Sequence, residues 1–215
     1  MSVPFITVEG PIGVGKTSLS TAIADRQQFH QLKEIVDENP FLNKFYNNIE
    51  EWSFQTEMFF LCNRYKQLSD IKNEILVEKK SVVADYHIFK NLIFAKRTLS
   101  PEEYAKYEEI YKILTQDMPV PNIIIYLHAS LDTLMKRIAL RGRDFEKNMD
   151  PAYMQQLSED YEAFITYFET THPEIPVLRF NGDVLDFVTN DKDLQFILDT
   201  VDVTIQKGVI LNELT

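Results

Sequence analysis

Short apolar runs alternate along the chain with longer stretches in which apolar positions recur every three or four residues. The runs are Val3–Glu9, Lys33–Val36, Ser81–Asp85, Asn122–Leu127 and Val177–Phe180. They are rich in Val, Ile and Phe and too short for helices, so they predict five strands. The periodic stretches predict helices at Thr17–Ala24, Glu50–Val77, Pro101–Thr115, Leu131–Leu140, Pro151–Thr170 and Asp191–Val203. Turn signals fall between elements, at Asn39-Pro40 and Asn181-Gly182-Asp183. Apolar strands alternating with helices predict an α/β fold, a five-stranded parallel sheet flanked by helices on both faces. No repeat, linker or low-complexity stretch interrupts the pattern, which predicts one domain over residues 1–215.

Composition narrows the partners. A chain of 215 residues buries a sizeable core without disulfides or a structural metal. Its single cysteine, Cys62, forms no internal bridge, and Cys/His metal spacing is absent, as suits a reducing cytoplasm. The opening MSVPFITVEG runs straight into a strand, so no signal peptide is expected. The apolar stretches are too short to span a membrane. A net charge of −11 repels phosphate backbones, which argues against nucleic acid as the partner. An anionic ligand therefore needs a local cluster of donors.

One such cluster is Gly10-Pro11-Ile12-Gly13-Val14-Gly15-Lys16-Thr17, a full match to GxxxxGK(S/T), with Ser18 following. The glycines let the backbone wrap phosphate oxygens, and the helix that follows adds free N–H groups and the positive end of its dipole. Lys16 would neutralise the β- and γ-phosphates, and the Thr17 hydroxyl would hold Mg²⁺. A glycine turn that happens to carry a lysine is the plain alternative. The predicted strand before the motif and helix after it supply the context that a phosphate loop requires.

Three acidic residues fall near predicted strand ends, where ligands of parallel sheets bind: Glu9, Glu34 and Asp85. Asp85 closes an apolar strand and is a second candidate for Mg²⁺. Glu34 lies across the crevice, placed to take a proton from an attacking hydroxyl. The plain reading of each is a cap or a solvated strand end. A second basic cluster, Arg137, Arg141 and Arg143, stands in MKRIALRGRDFEK. Arg137 and Arg141 share a helix face, where like charges repel, and planar guanidinium forks suit a transferring phosphoryl group. A solvated basic face is the alternative. Gly142 and the mixed charges after it predict a short arginine-rich lid at about 141–150.

Together the phosphate loop at 10–17, EIVDENP at 34–40, Tyr46, EEWSF..E at 50–57, Arg64, Asp85 and RGRDFE at 141–146 resemble the deoxynucleoside kinases, within them the deoxyguanosine kinases of Gram-positive bacteria. The resemblance covers nearly the whole chain. It implies a P-loop kinase that moves the γ-phosphoryl group of ATP, with Mg²⁺, onto the 5′-hydroxyl of a deoxynucleoside. It makes Glu34 the general base, Tyr46 and Glu146 the holders of the 3′-hydroxyl, and Arg137, Arg141 and Arg143 the lid arginines. The loop Asn181–Asp186, with Asp183, would wrap the adenine of ATP, and Asn91 would join the nucleoside site. A homodimer packed through long helices, and restraint by the end-product triphosphate dGTP, are also implied.

One departure stands out. Relatives often carry an acidic-Arg-Ser triplet after the third strand, where this chain has Asp85-Tyr86-His87. Lys90 is a candidate to replace the missing charge, Arg64 is a candidate to orient Glu34, and His87 reads as structural.

The acceptor base rests on position 57. Relatives that take adenine or cytosine carry a glutamine there, whose amide offers one donor and one acceptor. Glu57 as a carboxylate only accepts, and guanine presents two adjacent donors, N1–H and the 2-amino group. Arg64 lies seven residues on, about 10 Å along the same helix, and could donate to guanine O6 and N7. A surface pair too far apart to interact is the plain reading of the two. Trp52, Phe59, Phe89 and Phe94 are candidates to stack the base. The alternatives are a deoxyadenosine or deoxycytidine kinase of the same family, a nucleoside monophosphate kinase, or a nucleotide-regulated switch.

Overall fold

Each strand of the sheet is returned to the next by a helical crossover, so all its strands run the same way. A computed structural model describes residues 3–36 and 38–213, with side chains to residue 208. Asp37, within the 34–40 segment, lies outside the described residues. The strands β1 (Phe5–Glu9), β2 (His30–Leu32), β3 (Val82–Ala84), β4 (Ile123–His128) and β5 (Val177–Asn181) stand in the order β2-β3-β1-β4-β5. β1 is central, pairing Ile6 with Val83 on one side and with Ile123 on the other.

Side chains alternate across the sheet and so divide the core in two. Phe5, Leu32, Val82 and Ala84 face one way, against Leu61 and Leu68 of α3 (Ile49–Asp70) and Tyr107 of α5 (Pro101–Thr115). Ile6, Val8 and Val83 face the other, against Leu19 and Ile23 of α1 (Lys16–Gln27) and Ile165 of α7 (Pro151–Thr171). α6 (Leu131–Arg141) and α8 (Asp191–Glu213) complete that second layer. α5 begins where the sequence predicts, because Ser100 and Glu103 form a reciprocal capping box ahead of Pro101. Among the described residues no helix is long and apolar enough to cross a membrane.

The fold class matches the expectation from sequence, with local corrections. The second strand is His30–Leu32 rather than Lys33–Val36. Residues 33–36 run beyond the edge of β3, and the apolar Val36 lines a cavity instead of a sheet. The long helix does not run unbroken to Val77. Regular α-helix ends at Asp70 and widens into a π-helix over Ile71–Leu76. Two short helices, α2 (Leu42–Asn47) and α4 (Lys90–Thr98), were not expected. Neither carries a side-chain cap at its N-terminus, so the usual start signal is missing.

At the end of β1 the chain turns sharply at Gly10, whose φ of +144° is closed to most side chains. A Cβ there would lie 2.2 Å from the Leu127 carbonyl oxygen of β4. Gly10→Ala is expected to lower stability by about 2 kcal/mol or more, read from the urea unfolding midpoint. A midpoint unchanged from wild type would contradict this packing of the loop on β4.

Candidate active site

Beyond the carboxyl edge of the sheet lies a cavity of about 800 Å³, lined by α1, α2, α3, α4, α6 and the loops between them. The loop after β1 forms one wall. Lys16 folds its ammonium back onto that loop, donating to the carbonyls of Gly10 (2.8 Å) and Pro11 (2.9 Å). Burial, then the charge of Lys90, lowers its pKa to about 7, against the pull of Glu34, Glu9 and Asp85. The Thr17 hydroxyl donates to Asp85 Oδ2 (2.6 Å), and Asp85 Oδ1 accepts from the Glu34 backbone N–H (2.8 Å). Asp85 thereby ties the loop after β2 to the start of α1.

Glu34 is the centre of the charge network. Lys90 Nζ donates to both its oxygens (3.1 and 3.0 Å). Arg64 grips Oε1 through Nε (3.0 Å) and Nη2, and turns Nη1 onto Asn91 Oδ1 (2.7 Å). Asn91 in turn donates to the Tyr107 hydroxyl (2.6 Å). Burial alone would raise the Glu34 pKa, but Lys90, then Arg64 and Lys16, hold it well below the usual carboxylate range. The two cations offered for this neighbourhood, Lys90 and Arg64, thus both reach the same carboxylate. Tyr86, at the position of the missing arginine, is buried in the core and donates to Gln67 Oε1 (2.8 Å).

Glu57 stands apart from that network. It is 2% exposed, lines the cavity, and its Oε2 has no hydrogen-bond partner among the described residues. Burial raises its pKa to about 8, only partly opposed by Arg64 and Lys90. The expected guanidinium fork for a base is therefore changed. Arg64 lines the cavity, yet three of its N–H directions are committed to Glu34 and Asn91. Helix arithmetic gives the distance from Glu57 to Arg64 but not the partners that fold in from other elements.

At the opposite wall Tyr46 and Glu146 both line the cavity, and Tyr46 stacks on Phe145 at 6.2 Å. Burial, then the Glu146 charge, raises the Tyr46 pKa. Arg141 Nε donates to Glu146 Oε2 (3.1 Å), and Arg137 donates to the carbonyls of Val14 (3.3 Å) and Gly182 (2.9 Å). Carbonyls and a carboxylate thus offset the expected repulsion between the two arginines without any added anion. Arg143 also lines the cavity. Gly142 ends α6 in the left-handed region, which turns the chain toward Glu146.

Ile12, Gly13, Gly15, Lys16, Thr17 and Ser18 line the cavity, while Gly10, Pro11 and Val14 support it from behind. Asn91 sits behind Arg64. Asp183 is turned away, accepting from Ser130 at the start of α6 (2.8 and 2.9 Å); Asp186, Val188 and Thr189 line the cavity in its place. Of the four aromatics expected to stack a base, only Phe94 reaches the cavity, joined by Phe60. Trp52 stacks on Phe41 and Phe89 on Phe164; Phe59 packs edge-on against Phe41. Glu9 is buried under His87 N–H and the Tyr161 hydroxyl, with its pKa raised by burial to about 7. His87 points to the Pro119 carbonyl, and burial lowers its pKa to about 4, as a structural histidine would show.

A family model described as deoxynucleoside kinase matches residues 6–206. A deoxyguanosine kinase of Bacillus subtilis is 54% identical over 192 residues, covering 89% of this chain and 93% of that protein. A deoxyadenosine/deoxycytidine kinase of the same organism is 32% identical, covering 91% of this chain and 90% of its own length. Among solved structures, a deoxyadenosine kinase from M. mycoides with bound dATP superposes with a TM-score of 0.78 at 24% identity, covering 93% of this chain and 99% of that one.

The Glu34–Arg64–Lys90 cluster generates a stability prediction. Arg64→Met leaves Glu34 and Asn91 short of a buried partner and is expected to lower unfolding free energy by about 2–4 kcal/mol at neutral pH. A loss below about 1 kcal/mol would mean the pair behaves as a solvated one.

Proposed function

This chain belongs to the deoxynucleoside kinase family, and we propose that it transfers the γ-phosphoryl group of ATP to the 5′-hydroxyl of deoxyguanosine, giving dGMP and ADP. The observation that carries the choice of base is Glu57, a buried carboxyl with an unfilled acceptor in the cavity wall. Guanine brings two adjacent donors to such a group, and an unfilled buried acceptor is costly enough to reward them. The 54% identity to a deoxyguanosine kinase supports the same reading.

ATP would lie on the Gly10–Thr17 loop, its phosphates met by backbone N–H groups and Lys16. Its adenine would rest near Arg137, Asp186 and Thr189. The Thr17 hydroxyl and Asp85, hard oxygens 2.6 Å apart, suit Mg²⁺, which keeps waters and binds few protein ligands. Among the described residues no larger cluster of metal-ligating side chains exists. When bound with ATP, the ion would neutralise charge on the phosphates. The deoxyribose would sit at Tyr46 and Glu146. Glu34 aligns the 5′-oxygen for in-line attack and accepts its proton as the bond to phosphorus forms. Its low proton affinity, set by Lys90 and Arg64, suits a late proton transfer after a loose transition state. Lys16 and the lid arginines stabilise the charge that spreads over the transferring group.

A single cavity reaches both the phosphate loop and Glu57. One dGTP molecule could therefore occupy the acceptor site with its base and the donor loop with its phosphates, which supports feedback by the end product. A homodimer is part of the proposal, with exposed apolar residues such as Ile113 on α5 available to it. Cytoplasmic placement suits the lone free Cys62.

The test follows ADP release with MgATP against deoxyguanosine, deoxyadenosine, deoxycytidine, thymidine, guanosine and dGMP at pH 8. Deoxyguanosine is expected to lead in kcat/KM by about tenfold or more. A lead by deoxyadenosine or deoxycytidine would keep the kinase and remove the reading of Glu57. A lead by dGMP would make it a monophosphate kinase, and hydrolysis independent of acceptor a switch. Glu34→Gln is expected to lower kcat by about a hundredfold or more with little change in nucleoside KM. Retained turnover would move the base elsewhere.

A further inference from the structure

The charges around Glu57 are arranged so that none is assigned to it. On its own helix, Arg64 spends Nε and Nη2 on Glu34 and Nη1 on Asn91. From α4, Lys90 donates to both oxygens of Glu34. The loop after β2 contributes Glu34 itself, an anion that disfavours a second one nearby. The remaining titratable neighbours are phenols that stay neutral, Tyr46 on α2, Tyr107 on α5 and Tyr153 on α7. Thr98 on α4 also neighbours Glu57. Its hydroxyl donates to the Phe94 carbonyl (2.9 Å), and it favours the ionised form of Glu57 only weakly beside the effect of burial. A buried carboxyl with no committed cation and an unpartnered oxygen favours the protonated form.

That form has different chemistry. An ionised Glu57 offers two acceptors and fits the N1–H and 2-amino donors of guanine. A protonated Glu57 offers one O–H donor and one carbonyl acceptor, as a glutamine amide does. Adenine presents the complement: N1 accepts and the 6-amino group donates. We propose that this kinase also phosphorylates deoxyadenosine, bound by Glu57 with its carboxyl proton in place, and that the occupancy of this one proton sets the choice between the two bases. The inference rests on the reading of Glu57 as the base-contacting residue. Deoxyguanosine binding then expels a proton to solvent, whereas deoxyadenosine binding retains it. The ordinary carboxyl range, near 4.5, would keep Glu57 ionised at all working pH values; burial lifts it to about 8, within reach of them.

The experiment competes deoxyguanosine against deoxyadenosine in one tube with the wild-type enzyme, from pH 6.5 to pH 8.5. The ratio of their kcat/KM values cancels every ionisation common to both reactions, including those of ATP, Lys16 and Glu34. The sign follows from the proton balance: the ratio follows that of ionised to protonated Glu57, so it should climb toward deoxyguanosine as pH rises, by up to about tenfold per pH unit on either side of the Glu57 pKa. A rise of tenfold or more across the range is expected. A smaller change, with deoxyguanosine still phosphorylated, would overturn the inference and leave the deoxyguanosine kinase standing. Absence of deoxyguanosine phosphorylation throughout would overturn both. Calorimetry at pH 7 in two buffers of different ionisation enthalpy reads the proton directly. Release of close to one proton with deoxyguanosine and near none with deoxyadenosine is expected, and equal release would overturn the proposal. Glu57→Gln should abolish the pH dependence of the ratio; persistence of the wild-type slope in that variant would assign it to another group.

Discussion

Glu34 is a carboxylate withdrawn from water between two buried cations, and much of the geometry of the cavity can be traced from that one cluster. Lys90 and Arg64 reach it from α4 and α3, so the loop after β2 is fixed against two helices that cover the sheet. Its backbone N–H holds Asp85, and Asp85 holds Thr17 at the mouth of the phosphate loop. Three strand ends are thereby joined through one acidic residue and its neighbours. A buried ion cluster adds little net stability compared with an apolar core, but breaking it is expensive. Its value here lies in position: Glu34 faces the cavity at a fixed place between the Gly10–Thr17 loop and the wall that carries Glu57.

The same cluster explains the state of Glu57. Because Arg64 is drawn to Glu34 and Asn91, the second carboxyl on its helix is left without a dedicated cation. Two carboxyls in one cavity therefore have opposite proton affinities, Glu34 lowered by Lys90 and Arg64, Glu57 raised by burial. Such a split is the usual way a site assigns different tasks to like groups. Here it would separate a residue that aligns the reacting oxygen from one that reads the base.

Sequence reasoning reached the phosphate loop because its chemistry needs contiguous residues, Gly10 through Thr17. The sheet followed from its apolar runs, and α5 from its Ser-Pro-x-Glu start. Lys33–Val36 misled because apolarity there serves the cavity wall rather than a strand. α4 was missed because Ile88 to Ala95 reads as one mixed apolar stretch with no cap. Trp52 looked like a base platform and instead stacks on Phe41, a contact between residues eleven apart that helical periodicity does not supply. Lys90 and Arg64 were named as candidates, but that both meet Glu34 depends on a crossing of α3 and α4 seen only in three dimensions.

The most direct measurement is a crystal structure of the protein with deoxyguanosine and ADP bound at pH 8. The account predicts both Glu57 oxygens within about 3 Å of guanine N1 and the 2-amino nitrogen, and Glu34 at similar range of the 5′-oxygen. A base turned away from Glu57, or a 5′-oxygen out of reach of Glu34, would contradict it.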